Sequence, residues 1–151
     1  MTPHLTHTAT ITIHVGDPIA IGETGEGLRR IVPILGGTIA GSRIGGTILP
    51  AGADYQIIRA DGYTTLDARY AARLDDGAMI YIVNTGVRFG SPEVMARIAR
   101  GEPADPAEVY FRTTPHFETA SPAWHWLTRP LFVATGARHP NRVEIEVFEV
   151  G

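Results

Sequence analysis

The fold class is decided by the stretch Ala53-Asp-Tyr-Gln-Ile-Ile-Arg-Ala-Asp-Gly-Tyr-Thr-Thr-Leu-Asp-Ala-Arg-Tyr70. Asp61-Gly62 divides it into two runs rich in β-branched and aromatic residues. A type I′ turn needs positive φ at both central residues, and Asp-Gly meets that need well. The stretch therefore predicts a β-hairpin with a two-residue loop.

This loop length fixes which residues face each other in the hairpin. Asp54 would lie opposite Arg69, and Gln56 opposite Asp67. Because side chains alternate along a strand, all four project from one face. A face that only met solvent would more often carry Lys, Glu and Thr, so these four residues are candidates for chemistry.

A second turn extends the same face to a third strand. If Asp76-Gly77 is also a two-residue loop, Asn84 faces Arg69 and Gly86 faces Asp67. Gly86 would leave open space beside that carboxylate. The predicted polar face is Asp54, Gln56, Asp67, Arg69, Asn84 and Arg88.

Three interpretations of this face remain open at the level of sequence. It lines a barrel lumen that holds a ligand, which requires a few polar groups among apolar walls. It points to solvent, with the opposite, more apolar face against the core. It forms a structural network in which Asp and Arg side chains satisfy each other.

The rest of the chain predicts about ten short strands with turn signals every 8–12 residues or so, the pattern of a sandwich or barrel. We predict a single domain over residues 1–151, an all-β, antiparallel up-and-down barrel with one short helix. That helix is expected over 92–100, after the N-cap Ser91 and before Gly101. It is either a surface helix docked on the barrel or a lid over one mouth.

Composition excludes several classes of partner. Apolar residues make up 44% of the 151 residues and the formal net charge is −3, so no basic footprint for nucleic acid or anionic membrane is present. No apolar run approaches the roughly 20 residues of a membrane span. The chain has no cysteine and no secretory signal pattern in residues 1–15, and we expect a cytoplasmic protein.

A second group of candidate residues lies in the stretches 110–118 and 124–127. Arg112, Glu118 and Trp126 could complete a pocket with a cation, a carboxylate and an aromatic wall. Packing in the core is the alternative for Trp126. His116 and His125 show no known metal-ligand spacing, and no nucleotide-binding motif occurs, so neither a metal nor a cofactor is predicted.

The chain resembles the family catalogued as domain of unknown function 3237. The matching motifs are Arg30-Ile-Val-Pro-Ile-Leu-Gly-Gly-Thr38, Leu49-Pro-Ala-Gly-Ala-Asp-Tyr-Gln56, Arg59-Ala-Asp-Gly62, Leu66-Asp-Ala-Arg-Tyr70, Asp75-Asp-Gly-Ala78, Val83-Asn-Thr-Gly86, Phe111-Arg-Thr-Thr-Pro115, Phe117-Glu118 and Trp126-Leu127. The resemblance implies a closed antiparallel barrel of the allene-oxide-cyclase-like, calycin type. Some fungal members look like cofactor-independent cyclases that add a hydroxyl across an alkene within one molecule. Trp124 stands where Tyr is common, which would reshape the pocket wall.

Two functional hypotheses follow. In the first, the protein is an isomerase or cyclase in which Asp54 and Asp67 act as general acid and base and Arg69 holds the base charged. The substrate-binding residues would then be Gln56, Asn84, Arg88, Arg112, Glu118 and Trp126. In the second, the barrel binds a small aromatic or carboxylic acid without reacting, with arginines as clamps. A third, structural hypothesis is a barrel whose outer strands form a homodimer or larger homo-oligomer.

Overall fold

The computed structural model describes residues 1–151, most of which lie in β-strands. The nine strands are β1 (Leu5–Val15), β2 (Ile19–Thr24), β3 (Gly27–Ala40), β4 (Gly45–Ile58), β5 (Thr64–Leu74), β6 (Met79–Gly90), β7 (Val109–Glu118), β8 (Phe132–Arg138) and β9 (Arg142–Val150). One α-helix, α1, spans Pro92–Ala99, and 3₁₀ segments span Pro106–Glu108 and Pro122–Thr128. The 3₁₀ segments were not predicted. None of the helices has the length and apolar character that crossing a membrane requires.

The strands form one antiparallel sheet that closes on itself. Its order is β1-β9-β8-β7-β6-β5-β4-β3-β2, and β1 also pairs with β3. Eight strands thus make a closed ring, while β2 lies outside it beside the first half of β3. Sequential strands are neighbours from β3 to β9 because the turns between most of them are short. The predicted antiparallel up-and-down barrel is confirmed.

The strand count differs from the predicted ten because two strands are long and bent. β3 changes register between Pro33 and Gly37, and β4 changes register between Ile48 and Gly52. Gly36, Gly37 and Gly52 have positive φ, so the sequence marks these bends with glycine. Each bulge keeps the strand paired while it curls around the barrel, so segments expected to be separate strands are continuous.

Both hairpin turns contain three residues rather than the predicted two. The amide of Arg59 donates to the carbonyl of Tyr63, and the amide of Leu74 donates to the carbonyl of Ala78. Gly62, with φ of 86°, ends the first loop, and Gly77, with φ of 90°, ends the second. A turn followed by a left-handed glycine is the usual three-residue connection.

The extra loop residue shifts the predicted register by one. Asp54 pairs with Ala68, and Asn84 pairs with the same Ala68 from the other side. A shift of one residue moves every side chain of a strand to the opposite face. The side chains of Asp67 and Arg69 on β5 therefore leave the predicted face. Because β6 is shifted a second time, its even-numbered residues return to the lumen with Asp54.

The apolar core fills one end of the lumen. Its most deeply buried side chains include Ile11, Ile48, Tyr70, Leu74, Ile80, Ile82, Leu127 and Val147. The other end is covered by α1, which buries Val94, Met95 and Ile98. Ser91 caps this helix by accepting a hydrogen bond from the amide of Val94, as the sequence predicts. The polar lumen side chains lie between the apolar core and α1.

Candidate functional site in the barrel lumen

Asp54 is the carboxyl group at the centre of the candidate site. It projects from β4 into the lumen, where its Oδ2 accepts a hydrogen bond of 2.8 Å from Nε2 of Gln56. Its Oδ1 accepts one of 3.0 Å from the backbone amide of Asp67. The β4–β5 ladder pairs Asp54 with Ala68 and next pairs Ile57 with Thr65. Between these two ladder pairs, the backbone amide of Asp67 donates to the side chain of Asp54, so the backbone of β5 orients the carboxyl group.

The lumen raises the pKa of Asp54 above its ordinary value of 3.8. Burial is the main cause, because removal from water disfavours the charged form, and the charge of Asp67 adds to it. The two hydrogen bonds and the charge of Arg88 act in the opposite direction but do not compensate. A carboxyl of this kind holds its proton to higher pH than a surface aspartate, as a general acid requires.

A small cavity of about 50 Å³ lies beside Asp54. Its walls are mostly apolar and come from β1, β3, β5, β7 and β9, including Ile13, Val32, Leu66, Phe111 and Ile145. Its polar lining consists of Asp54, Gln56, Asn84, Arg88, Thr113 and Arg138. Asp54 is its one carboxyl. Nowhere in the chain do three or more His, Asp and Glu side chains come together as a metal site would need.

Three arginines lie at the end of the lumen that α1 covers. Arg88 is 2% exposed and Arg30 is 7% exposed, and Arg138 is partly buried beside them. Burial lowers the pKa of all three side chains, and that of Arg88 falls to about 10. None of the three guanidinium groups has a carboxylate oxygen within 4.0 Å, so none of them forms an ion pair. The lumen therefore holds more positive charge than Asp54 can balance.

A second cavity of about 260 Å³ lies between the barrel mouth and α1. Arg30 and Thr64 line it from the barrel, and Met95 and Ala96 line it from the helix. Arg88 lines both this outer cavity and the inner one. Its Cζ lies 5.6 Å from the centre of the Phe111 ring, a cation–π distance. The two spaces thus meet at Arg88, with the inner cavity leading to Asp54.

Several buried polar atoms of the lumen lack a hydrogen-bond partner in the protein. They are Nε of Arg30 and Arg88, Oε1 of Gln56, Oδ1 of Asn84, Oγ1 of Thr113 and the hydroxyl of Tyr70. Most buried polar groups in folded proteins are paired, since an unpaired one costs about 1–3 kcal/mol. Four of these residues, Gln56, Asn84, Arg88 and Thr113, line the inner cavity, and convergent polar groups in a mostly apolar pocket are typical of a ligand-binding site.

Four of the residues predicted from sequence come together in this lumen. Asp54, Gln56, Asn84 and Arg88 all line the inner cavity, from strands β4 and β6 on either side of β5. The two register errors cancel at β6, which is why Asn84 and Arg88 lie where the sequence predicted relative to Asp54. Their functional roles stay predictions.

Asp67 and Arg69 lie on the outside of the barrel, which corrects the prediction that they share a face with Asp54. They form an exposed ion pair with 3.1 Å between Arg69 Nε and Asp67 Oδ1. Only the backbone amide of Asp67 reaches the site. Gly86 also differs from the prediction, because it pairs with Leu66 and a Cβ there would lie 2.2 Å from the carbonyl oxygen of Arg112. Gly86 allows close strand packing and leaves no open space for a ligand.

The second predicted group does not join the lumen. Arg112 is exposed on the outer face of β7 and donates to the carbonyl of Phe111, and Glu118 is exposed at the end of that strand. Trp126 lies in a 3₁₀ segment, partly buried against the core, with the Arg43 guanidinium 3.9 Å from the centre of its ring. For Trp126, the packing alternative matches the structure. The prediction that these three residues complete the pocket is wrong because they sit outside the lumen.

Sequence analysis missed Arg30, Arg138 and Thr113. Arg30 shares its strand face with Val32 and Ile34, so alternation alone would have assigned it to the interior. Arg138 follows Ala134 and Gly136 at the same spacing, but the sequence predicted a strand over residues 131–137, which ends one residue before it. Thr113 projects inward from β7 beside Phe111, whose even-numbered neighbours are exposed.

Solved structures with the same fold come from bacteria and a fungus. A conserved protein of unknown function from Rhodopseudomonas palustris has a TM-score of 0.97 at 48% identity, covering 100% of this chain and 99% of that one. A beta-barrel like protein from Acinetobacter baumannii has a TM-score of 0.88 at 35% identity, covering 100% and 98%. An enzyme from Penicillium herquei has a TM-score of 0.75 at 19% identity, covering 100% and 96%, and at that identity only the fold is shared.

Sequence comparison gives the same grouping. A UPF0311 protein of Rhodopseudomonas palustris is 50% identical over 152 residues, covering 99% of each chain. A UPF0311 protein of Clostridium acetobutylicum is 44% identical over 142 residues, covering 93% of this chain and 90% of that one. A family model described as Protein of unknown function (DUF3237) matches residues 3–150, and the chain belongs to that family.

Proposed function

We propose that this protein is a cofactor-independent isomerase or cyclase in which Asp54 transfers the proton. One observation carries the proposal: Asp54 is the single carboxyl lining a buried, mostly apolar cavity, and its pKa is raised there. A titratable group with a perturbed pKa inside a pocket is the usual mark of acid–base catalysis. The sequence offered two aspartates, Asp54 and Asp67, as candidate acids, and only Asp54 faces the lumen.

A single carboxyl is sufficient for an intramolecular addition of a hydroxyl to an alkene. Protonated Asp54 gives its proton to one alkene carbon, and the substrate's hydroxyl oxygen bonds to the other carbon. The hydroxyl proton then returns to the Asp54 carboxylate. One C–H and one C–O bond form while one O–H bond and one C=C π bond are lost, so the mass is unchanged and Asp54 is regenerated.

The neighbouring side chains have supporting roles in this proposal. Gln56 orients the carboxyl through its hydrogen bond to Oδ2. Asn84 and Thr113 offer unpaired buried oxygens to substrate hydroxyls. Arg88 binds a substrate oxygen through its buried guanidinium, whose Nε has no acceptor in the protein. The Phe111 ring provides an apolar wall.

The proposal is tested by seeking a mass-neutral conversion. Wild-type protein is incubated in D₂O with a pooled small-molecule extract, and products are separated by chromatography and weighed by mass spectrometry. We expect a substrate to disappear and an isomer to form with one deuterium on carbon, delivered through Asp54. Asp54→Asn should slow the conversion by about 100-fold or more, the usual contribution of a general acid.

Asp67→Asn is the matched control. It makes the same chemical change on the outer surface and keeps the backbone amide that donates to Asp54. We expect it to convert at the wild-type rate. Full activity in Asp54→Asn, or an isomer without deuterium on carbon, would contradict the proposal.

A second candidate is a barrel that binds a small acid without reacting. The inner cavity of about 50 Å³ favours it, because ligand pockets usually measure about 300–1,000 Å³. A ligand held mainly in the outer cavity of about 260 Å³ could stop short of Asp54. Recovery of a bound but unchanged molecule in the same experiment would support this candidate.

A further inference from the structure

We infer that the ligand of this barrel is a small, mainly apolar molecule with one carboxylate, held by Arg30, Arg88 and Arg138 beneath α1. This inference deepens the proposed function by naming its substrate class, and it assumes that the substrate uses the same lumen. The carboxylate sits where the outer and inner cavities meet, and the apolar part reaches into the inner cavity toward Asp54.

The charges of the three arginines are the first support. Arg30 comes from β3, Arg88 from β6 and Arg138 from β8, so three separate strands direct cations to one end of the lumen. The charges of Arg138 and Arg30 disfavour the charged form of Arg88, and the charge of Arg30 disfavours that of Arg138. Asp54 is the only acidic residue that lines the inner cavity, and it has no ion pair within 4.0 Å of any arginine. An anion between the guanidinium groups would remove this imbalance.

The burial of these arginines is the second support. Arg30 and Arg88 are both more than nine-tenths buried, and their Nε atoms have no acceptor in the protein. Charged side chains are rarely buried without a partner, since desolvation is costly. The planar guanidinium matches the two oxygens of a carboxylate with parallel hydrogen bonds. The two arginines are thus donors in position for an acceptor that the chain does not supply.

The groups that line the two cavities favour a carboxylate over a phosphate. Phosphate sites commonly use a helix N-terminus or a concave run of backbone amides. Here α1 presents Met95 and Ala96 to the outer cavity, and the amides of Val94 and Met95 are bound to Ser91. The apolar wall of the inner cavity suits a hydrocarbon part beyond a single anionic group.

Calorimetric titration of the full chain with defined probes tests the inference. The probes are benzoate and cinnamate, their neutral counterparts benzyl alcohol and cinnamyl alcohol, and inorganic phosphate. We expect at least one carboxylate to bind, its alcohol to bind at least tenfold more weakly, and phosphate to give no saturable heat. Arg30→Met and Arg88→Met should each weaken carboxylate binding by tenfold or more.

Two control variants separate this inference from the catalytic proposal. Arg29→Met removes a cation from the same strand as Arg30 but from the opposite face, and we expect binding within twofold of wild type. Asp54→Asn should keep or tighten carboxylate binding while losing isomerisation. If it instead keeps full activity, the role of Asp54 is refuted and the anion site stands.

Three results would overturn the inference. The first is no binding of either carboxylate to wild-type protein at millimolar concentration. The second is equal affinity for each acid and its alcohol, or undiminished carboxylate binding in folded Arg30→Met and Arg88→Met, checked by circular dichroism. The third is saturable phosphate binding that depends on these arginines in the absence of carboxylate binding.

Discussion

Replacing Arg88 with methionine should stabilise the ligand-free protein although it weakens ligand binding. Arg88 is 2% exposed, forms no ion pair within 4.0 Å and has an unpaired Nε. Methionine keeps most of the aliphatic stem and removes the charge. A folded protein that gains stability when an arginine is removed has kept that arginine for a reason other than folding.

The expected gain can be estimated from the ionisation of Arg88. Burial, with the charges of Arg138 and Arg30, lowers its pKa from the ordinary arginine value to about 10, and the charge of Asp54 opposes them only in part. At about 1.4 kcal/mol per pKa unit, the folded state disfavours the charged form by about 3 kcal/mol. Loss of the cation–π contact with Phe111 costs about 1 kcal/mol. The net stabilisation is therefore about 2 kcal/mol, or roughly 4–8 °C in Tm for a domain of this size.

The pH dependence gives the estimate a second check. Because the folded pKa of Arg88 lies below the unfolded value, its penalty is complete well below pH 10 and is relieved as the pH rises above about 10. The advantage of Arg88→Met should thus be constant between pH 7 and 9. Urea unfolding at these two pH values, followed by circular dichroism, measures it.

Arg29→Met is the matched control, and its stability should stay within about 0.5 kcal/mol of wild type. A drop in the Tm of Arg88→Met relative to wild type would refute the reasoning. It would mean that the buried guanidinium is stabilised within the protein and needs no external anion.

Three further changes have expected outcomes. Gly136→Ala would bring a Cβ to 2.5 Å from the Phe111 ring, so the ring must move into the inner cavity. We expect the free energy of unfolding, measured by denaturation, to fall by about 1–3 kcal/mol and benzoate binding to weaken. Unchanged benzoate binding would argue against the cavity as the binding site. Removing the exposed ion pair with Asp67→Asn or Arg69→Met should leave Tm and benzoate binding unchanged, whereas a loss of binding would return these residues to the site. The raised pKa of Asp54 means that its contribution to stability is lost as the pH rises from 3.8 through the folded pKa. The stability of wild type relative to Asp54→Asn should therefore be lower at pH 7 than at pH 4 in urea unfolding, and an equal difference at the two pH values would contradict the assignment.

The fold class was predictable because it depends on sequence patterns that a one-residue error in a loop length does not change. Alternating apolar residues and frequent turn residues are enough to specify a closed antiparallel sheet, whatever the length of each loop. Strand number was less predictable. A glycine such as Gly52 can end a strand or bend it, and the choice depends on whether the neighbouring strand continues alongside.

Only part of the site was predictable, because the face on which a side chain lies depends on whether each loop has an odd or an even number of residues. Asp61-Gly62 fits a two-residue loop by its sequence, but Ala60 joins the loop and the register of β5 changes by one. That single residue exchanges the faces of Asp67 and Ala68. Local sequence does not determine such a choice, since the packing of the whole barrel selects it.

Closure of the ring has a consequence for how the chain folds. In the closed ring β1 pairs with β3 on one side and with β9 on the other, and Ile11 pairs with Ile145 near the far end of the chain. Contacts between such distant segments form slowly, because the loop entropy is lost before they contribute. β1 also supplies Ile13 to the wall of the cavity that Arg88 lines, so closure of the ring completes the enclosure of Arg88. Dehydration of an uncompensated cation would then fall within the rate-limiting barrier, and an anion that enters early would accelerate folding as well as stabilise its product.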